Sequence, residues 1–381
     1  MELSSEDSFC LNVMLAAGVQ AVRIDSNGMR VFGLTEKGEA SVHLHPNCRQ
    51  DQYLKLVKQS LAEHALDSPE GYPVYLRRWT RMGQLRDDNL SKLLLTGEEE
   101  AVVAVVHAPG LTNEIARRAW WIMPTIENAR RMLEKEDVAR GEMGKVLADF
   151  LVEHLPFEED DLAIMDTVRA LLWFDLVDPA AEKKLWARGK QHGAYFIGFL
   201  EQRPHRLPNP LPARADYAAI HALLAPFISA GNPYAQQLDQ LLSGPGQTFL
   251  ATCEAAMQRP GTHEIVSALL NTYGKYLETI RTTEDKARSM EEIIGRAVTL
   301  IDDDAPAALT PLLSTLPQLK PDLIALLTLA GVDQWAAYTV LRRTTAVNAL
   351  LRTKLEPVFE PIQAQMRVLR TMKTIDPASE L

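Results

Sequence analysis

QAVRIDSNGMRVFGLTEKGEASVHL, residues 20–44, decides how the front of this chain is built. Its three short runs, QAVRID, MRVFGL and EASVHL, alternate apolar and polar residues, the period-two signature of half-buried strands. SNG and TEKG separate them, and Asn27-Gly28 is a strong tight-turn dipeptide between short strands. The pattern predicts a three-stranded antiparallel meander. Upstream, Ser4 and Ser5 can cap a helix running to about Ala17, with Gly18 closing it. Downstream, Tyr53, Leu54, Leu56, Val57 and Leu61 fall at helical spacing and predict an amphipathic helix from Arg49 to about Ala65. Residues 1–66 therefore read as a small α/β domain, and DSPEGYPVY (67–75), with two prolines and a glycine, as the linker that leaves it.

Beyond that linker every segment reads as helix. Within 67–203, RRWTRMG (77–83), RRAWWIMP (117–124) and KKLWARG (183–189) each set a basic pair before a tryptophan and a helix-ending Gly or Pro. DNLSKLLL, TIENARRML and HGAYFIGFL follow them as further amphipathic stretches, and Asp178-Pro179 supplies a cap with proline at the first helical position. The spacing is irregular, so the pattern is a degenerate helical-hairpin repeat in the HEAT style, with chance similarity of basic amphipathic helices as the alternative. RPHRLPNPLPAR (203–214) carries four prolines in twelve residues and cannot be regular helix. Residues 215–381 resume the helical pattern as a C-terminal helical domain, broken at SGPG, RPG, DDDAP and LKPD. The expected fold is mainly α: a HEAT-like, degenerate helical-hairpin array preceded by a small α/β domain with a three-stranded antiparallel meander.

Composition narrows the function classes. An apolar fraction of 46% and a charged fraction of 24% over 381 residues are those of a globular protein with a sizeable core. A net charge of −10 argues against broad phosphate-backbone binding, because the summed field repels polyanions. Cys10, Cys48 and Cys253 are too few and too scattered for a disulfide framework, which fits a reducing compartment. MELSSEDSF is acidic where a secretory signal is basic, and LIALLTLAGV (323–332) is about half of the roughly 20 residues a membrane span needs. The expectation is a soluble, cytoplasmic protein without membrane contact.

SVHLHPNCRQDQYL (41–54) is the most chemically loaded stretch. On a strand, His43 and His45 share a face, which is the start of a metal site; Cys48 lies near in sequence. Zinc takes at least three protein ligands and no second Cys/His cluster exists to complete the set, so two partly exposed strand histidines is the plainer reading. Asn47 as N-cap would place Cys48 in the first helical turn beside Arg49, where dipole and cation both favour a thiolate. Without a CxxC partner or an activating base, an ordinary cysteine is the competing reading. Cys10 and Cys253 read as core. EEE (98–100), EEDD (158–161) and DDD (302–304) read as carboxylates before helices, which complement the helix dipole.

Arg77, Arg78, Arg117, Arg118, Lys183 and Lys184 are candidates for a partner-binding face or for stacking on the indoles, against solvated charges over tryptophans that fill the core. From Tyr338 to Lys373 the chain is locally basic, with Arg342 and Arg343 leading, a candidate surface for a partner or, less well supported without interleaved aromatics, for nucleic acid. There is no GxGxxG, Walker loop, GxSxG elbow or HExxH, and GPGQT (244–248) reads as a lone Gly/Pro turn. No catalytic set can be assembled, and no cofactor is expected.

YPVYLRRWTRMGQLRDDNLSKLLLTGEEEAVVAVVHAPGLTNEIARRAWWIMPTIENARRML (72–133), with MELSSEDSFCLNVMLA (1–16) and FLVEHLPFEED (150–160), resembles the DsrS family of sulfur-oxidation accessory proteins. The resemblance implies a cytoplasmic protein of bacteria that oxidise stored sulfur through a reverse-acting dissimilatory sulfite reductase system. It implies an accessory or regulatory role and carries over no catalytic residue. The leading expectation is thus a non-enzymatic protein that docks protein partners of that system. The alternatives are a sulfur-relay protein carrying a persulfide on Cys48, and a nucleic-acid-binding regulator using residues 338–373.

Overall fold

Ser4 begins the first helix as its position predicts: its hydroxyl accepts the Asp7 N–H at 3.1 Å and caps α1 (Ser5–Ala16). The computed structural model describes residues 2–66, 87–281 and 289–371. Arg77 and Arg78, the 67–75 linker and Lys373 lie outside those residues.

The meander forms. β1 (Ala21–Asp25), β2 (Arg30–Thr35) and β3 (Gly38–His43) pair antiparallel in the order β1-β2-β3. Asp25 sets the first turn by accepting the N–H groups of Asn27 and Gly28 at 3.1 and 3.0 Å. A register of Val22 on Gly33, Ile24 on Val31 and Val31 on Val42 puts the aliphatic residues on one face. That face packs on Leu11 and Met14 of α1 and on Tyr53, Val57 and Leu61 of α2 (Gln50–Leu66), the core of the front of the chain. On the other face stand Arg23, Phe32, Glu39 and His43, one strand position out of phase.

α3 (Asp87–Leu93), α4 (Glu99–His107), α5 (Asn113–Ile122), α6 (Ile126–Leu133), α7 (Glu136–Ala139) and α8 (Glu142–His154) follow. With the sheet they belong to one compact unit, Met1–Pro156 and Phe174–Val177. Thr112 and Thr125 cap α5 and α6 with their hydroxyls. The Leu94 carbonyl accepts the Val22 N–H at 2.8 Å, so the outer edge of β1 is tied to the segment after α3.

The second unit comprises Phe157–Trp173 and Asp178–Leu381. Its helices are α9 (Asp161–Trp173), α10 (Pro179–Arg188), α11 (Gly193–Gln202), α12 (Tyr217–Ser229), α13 (Pro233–Leu242), α14 (Gly244–Met257) and α15 (His263–Tyr276). Then come α16 (Met290–Asp302), α17 (Thr310–Thr315), α18 (Lys320–Ala330), α19 (Trp335–Leu341) and α20 (Asn348–Arg370). The described residues are 68% helical, a small sheet followed in sequence by a helical array. α12 and α13 form one hairpin of that array: Gly231 turns the chain at φ 78°, and the Asn232 side chain accepts the N–H groups of Tyr234 and Ala235 at 3.1 Å each.

Two expectations change. GPGQT is no isolated turn but the first turn of α14, with Pro245 inside the first two helical positions. Gly246 is required there, because a Cβ would lie 2.3 Å from the Gln240 carbonyl oxygen and 2.4 Å from that of Leu241. The DDD run ends α16 rather than starting a helix, and Asp302 pairs with Lys320 at 2.5 Å.

The proline-rich stretch 203–214 lies within the second unit and ends on Arg214, whose side chain is 1% exposed. Its guanidinium bonds Asp216 at 2.6 Å, Asp322 of α18 at 2.7 Å and the Val368 carbonyl of α20 at 3.2 Å. Gln247 donates to the Leu369 carbonyl at 3.2 Å. Two carbonyls of the last α20 turn, which have no partner within a helix, are thereby satisfied, and α20 is held in place. LIALLTLAGV falls on α18 and the residues just after it, with Leu323, Leu326, Leu327 and Leu329 buried. Among the described residues no single helix is long and apolar enough to cross a membrane.

Candidate functional site

α20 offers two faces. Leu351, Leu355, Phe359, Ile362, Met366 and Leu369 point into the second unit at helical spacing. Along the other side Arg352, Glu356, Glu360, Gln363 and Arg367 wall a cleft of about 920 Å³. Opposite stand Gln191, His192 and Gly193 at the start of α11, and Glu254, Gln258 and Arg259 at the end of α14. Gly193 sits so close to this wall that a Cβ would lie 2.6 Å from the Arg259 carbonyl oxygen.

Gly261 closes one end. Its φ of +61° is the left-handed conformation, and a Cβ would reach within 2.2 Å of Asp161 Oδ2. Its carbonyl accepts the Asn348 N–H at 2.8 Å, which ties the loop to the first residue of α20. Burial pushes the Asp161 carboxyl above its ordinary range; His192 opposes that and Asp160 adds to it.

Three arginines (259, 352, 367) meet four carboxylates (161, 254, 356, 360) across the cleft. That near balance does not attract a polyanion, whereas charges of both signs on a polypeptide find partners in it.

The loaded stretch 41–54 lies in the first unit. His43 and His45 do come together, with ring centroids 5.2 Å apart and planes at 87°. α2 starts at Gln50, so Cys48 sits in the bend before the helix rather than in its first turn. It is half-buried, packs against the core around Tyr53, and its thiol donates to the Arg49 carbonyl at 3.7 Å. His64 is exposed on α2. Among the described residues no group of three or more His, Cys, Asp or Glu is placed to hold a metal ion. Cys10 is half-buried, while Cys253 is core, its thiol pushed up to about 12 by burial.

Beneath His45 lies a residue the sequence reading passed over. Asp7 is 1% exposed; its carboxylate accepts the His45 N–H at 2.8 Å, the Tyr53 hydroxyl, and the His45 ring at 3.2 Å through Nδ1. Burial would push this carboxyl up, but the bonds from Tyr53 and His45 more than offset it and hold it below its ordinary value. Burial and the bond to Asp7 raise the Tyr53 hydroxyl in turn.

Of the basic pairs, Arg117 and Arg118 both bind Glu114, at 2.7 and 2.8 Å, and Arg117 reaches Gln20 at 3.2 Å. Hydrogen bonds from Arg117, opposed by burial and joined by Arg118, draw the Glu114 carboxyl down to about 2. Neither arginine stacks on Trp121. The cation over that ring is Arg23 of β1, 5.0 Å away and 4.9 Å from Phe32, while Trp121 Nε1 donates to Glu39 at 3.2 Å. Trp121 is therefore half-buried against the outer sheet face, whereas Trp186 fills the core between α10 and α11 against Phe196 and Phe199. Lys183 and Lys184 are exposed on α10, and Arg342 and Arg343 are exposed after α19, with Arg342 5.8 Å from the Tyr338 ring.

No protein-family profile, curated protein or solved structure matches this chain.

Proposed function

We propose that this protein is a non-enzymatic accessory or regulatory protein of cytoplasmic sulfur oxidation that works by docking a polypeptide partner along α20. The pathway rests on the DsrS resemblance of residues 1–16, 72–133 and 150–160. The observation that carries the docking mode is the cleft: one face of a 23-residue helix presents a pair of carboxylates, Glu356 and Glu360, flanked by Arg352 and Arg367, to an open space of about 920 Å³. Charges spaced one helical turn apart suit an extended or helical segment with complementary charges, and they set register more than raw affinity. A sulfur relay would need a thiol offered to its partner, and Cys48 is half-buried with its Sγ turned to the Arg49 carbonyl.

A photo-reactive amino acid at Gln363, in the cleft, and a control at Lys183, on α10, separate these readings in extracts of a sulfur-oxidising bacterium. Adducts with proteins of the sulfite reductase system at position 363, lost on Arg352→Glu, are the expected outcome. Equal labelling at both positions, or none, would contradict it.

A further inference from the structure

We infer that His43 and His45 form a surface site for a late first-row divalent cation (Cu²⁺ or Ni²⁺), with Asp7 as the outer partner that aims His45. This site lies in the first unit and does not depend on the docking role of the cleft.

The geometry fits chelation. Two imidazoles at neighbouring positions of one cation, each with a metal–nitrogen distance of about 2.0–2.1 Å, hold their ring centres roughly 4.5–5 Å apart. The observed separation is 5.2 Å, with the rings nearly perpendicular. Both residues are exposed, so a hydrated ion can reach them.

Asp7 supplies the second, independent observation. A carboxylate only accepts, so the proton shared over the 3.2 Å contact belongs to His45 Nδ1. The lone pair of the neutral ring is then on Nε2, on a side chain 59% exposed. Metal-bound histidines commonly give their other nitrogen's proton to such a carboxylate, which fixes tautomer and ring orientation. Asp7 is itself fixed, by the Tyr53 hydroxyl and the His45 N–H, before any ion arrives.

The site has limits that shape its chemistry. Two protein ligands leave the remaining positions to water, which makes an exchangeable site rather than a structural one. Arg30 stands opposite His43 in the β2–β3 register, an exposed cation that weakens binding without blocking it. Imidazole donors rank the ions with Cu²⁺ first.

The test is titration of the untagged full chain with copper(II) chloride, followed by calorimetry and electron paramagnetic resonance. One tight equivalent with two equatorial nitrogens is expected. His43→Gln and His45→Gln, both at exposed positions, should each remove one nitrogen and weaken binding about 100-fold, the usual scale of a lost second anchor. Asp7→Asn should keep both nitrogens but weaken binding about ten-fold. His64→Gln should change nothing. Affinity and nitrogen count unchanged in both His43→Gln and His45→Gln would overturn the assignment.

Discussion

Asp7 shows how one side chain can organise a neighbourhood. It occupies the same helical stripe as Leu11, Met14 and Leu15, all buried, and so is carried into the core with its charge. Three bonds, from Tyr53 and twice from His45, make that burial tolerable. Its folded pKa is depressed, so the stability it contributes is present above the ordinary carboxylate range and is lost as pH falls through the lower folded value. Asp7→Asn is expected to cost about 1–3 kcal/mol at pH 7, by weakening the acceptor of three donors. It should also make stability fall less steeply on acidification, and urea unfolding at pH 7 and pH 3 measures both effects. The stripe was legible, since positions 7, 11 and 14 share a face by spacing alone. The carboxylate's role was not legible, because nothing local announces Tyr53, 46 residues away. Cys48 moved for a related reason: the helix begins at Gln50, and helix starts are fixed by caps and packing that a turn rich in Pro and Asn leaves open.

At the scale of elements, periodicity carried the prediction well. The meander, its Asn27-Gly28 turn, and α1 and α2 all lie where alternation and helical spacing put them. One miss falls at glycine and proline, and another at the DDD run, which ends α16. GPGQT looked like a break because both residues disfavour helix interiors, yet proline suits a first turn and Gly246 is there for lack of a side chain. Gly246→Ala is expected to destabilise by about 1–3 kcal/mol, since the carbonyls it would strike belong to the backbone of α13 and cannot swing away. The exposed Gly295, with nothing within 4 Å of its Cβ position, is the control: Gly295→Ala inside α16 should stabilise by roughly 0.5–1 kcal/mol. Thermal melts of the two variants should therefore shift in opposite directions.

For the molecule as a whole, local pattern stops being informative. Arg214 meets Asp322 and Val368 across 108 and 154 residues, and only the fold brings them together. The cleft has the same character: Leu351 and Leu355 of α20 are buried, whereas Val347 and Leu350 stay exposed. The wall it forms with α11 and α14 joins segments that share no motif. Of the basic pairs singled out in sequence, Arg117 and Arg118 are engaged by Glu114 in the first unit, and Lys183 and Lys184 are exposed on α10 of the second. The proposed docking surface is thus a property of the packed helices of the second unit, built mainly from residues that looked unremarkable one at a time. Hydrogen exchange of the full chain, with and without the purified sulfite reductase system, tests this most directly. Slower exchange confined to 348–370 and the facing 191–193 and 254–261 is the predicted result; unchanged exchange there, or protection only around 41–54, would contradict it.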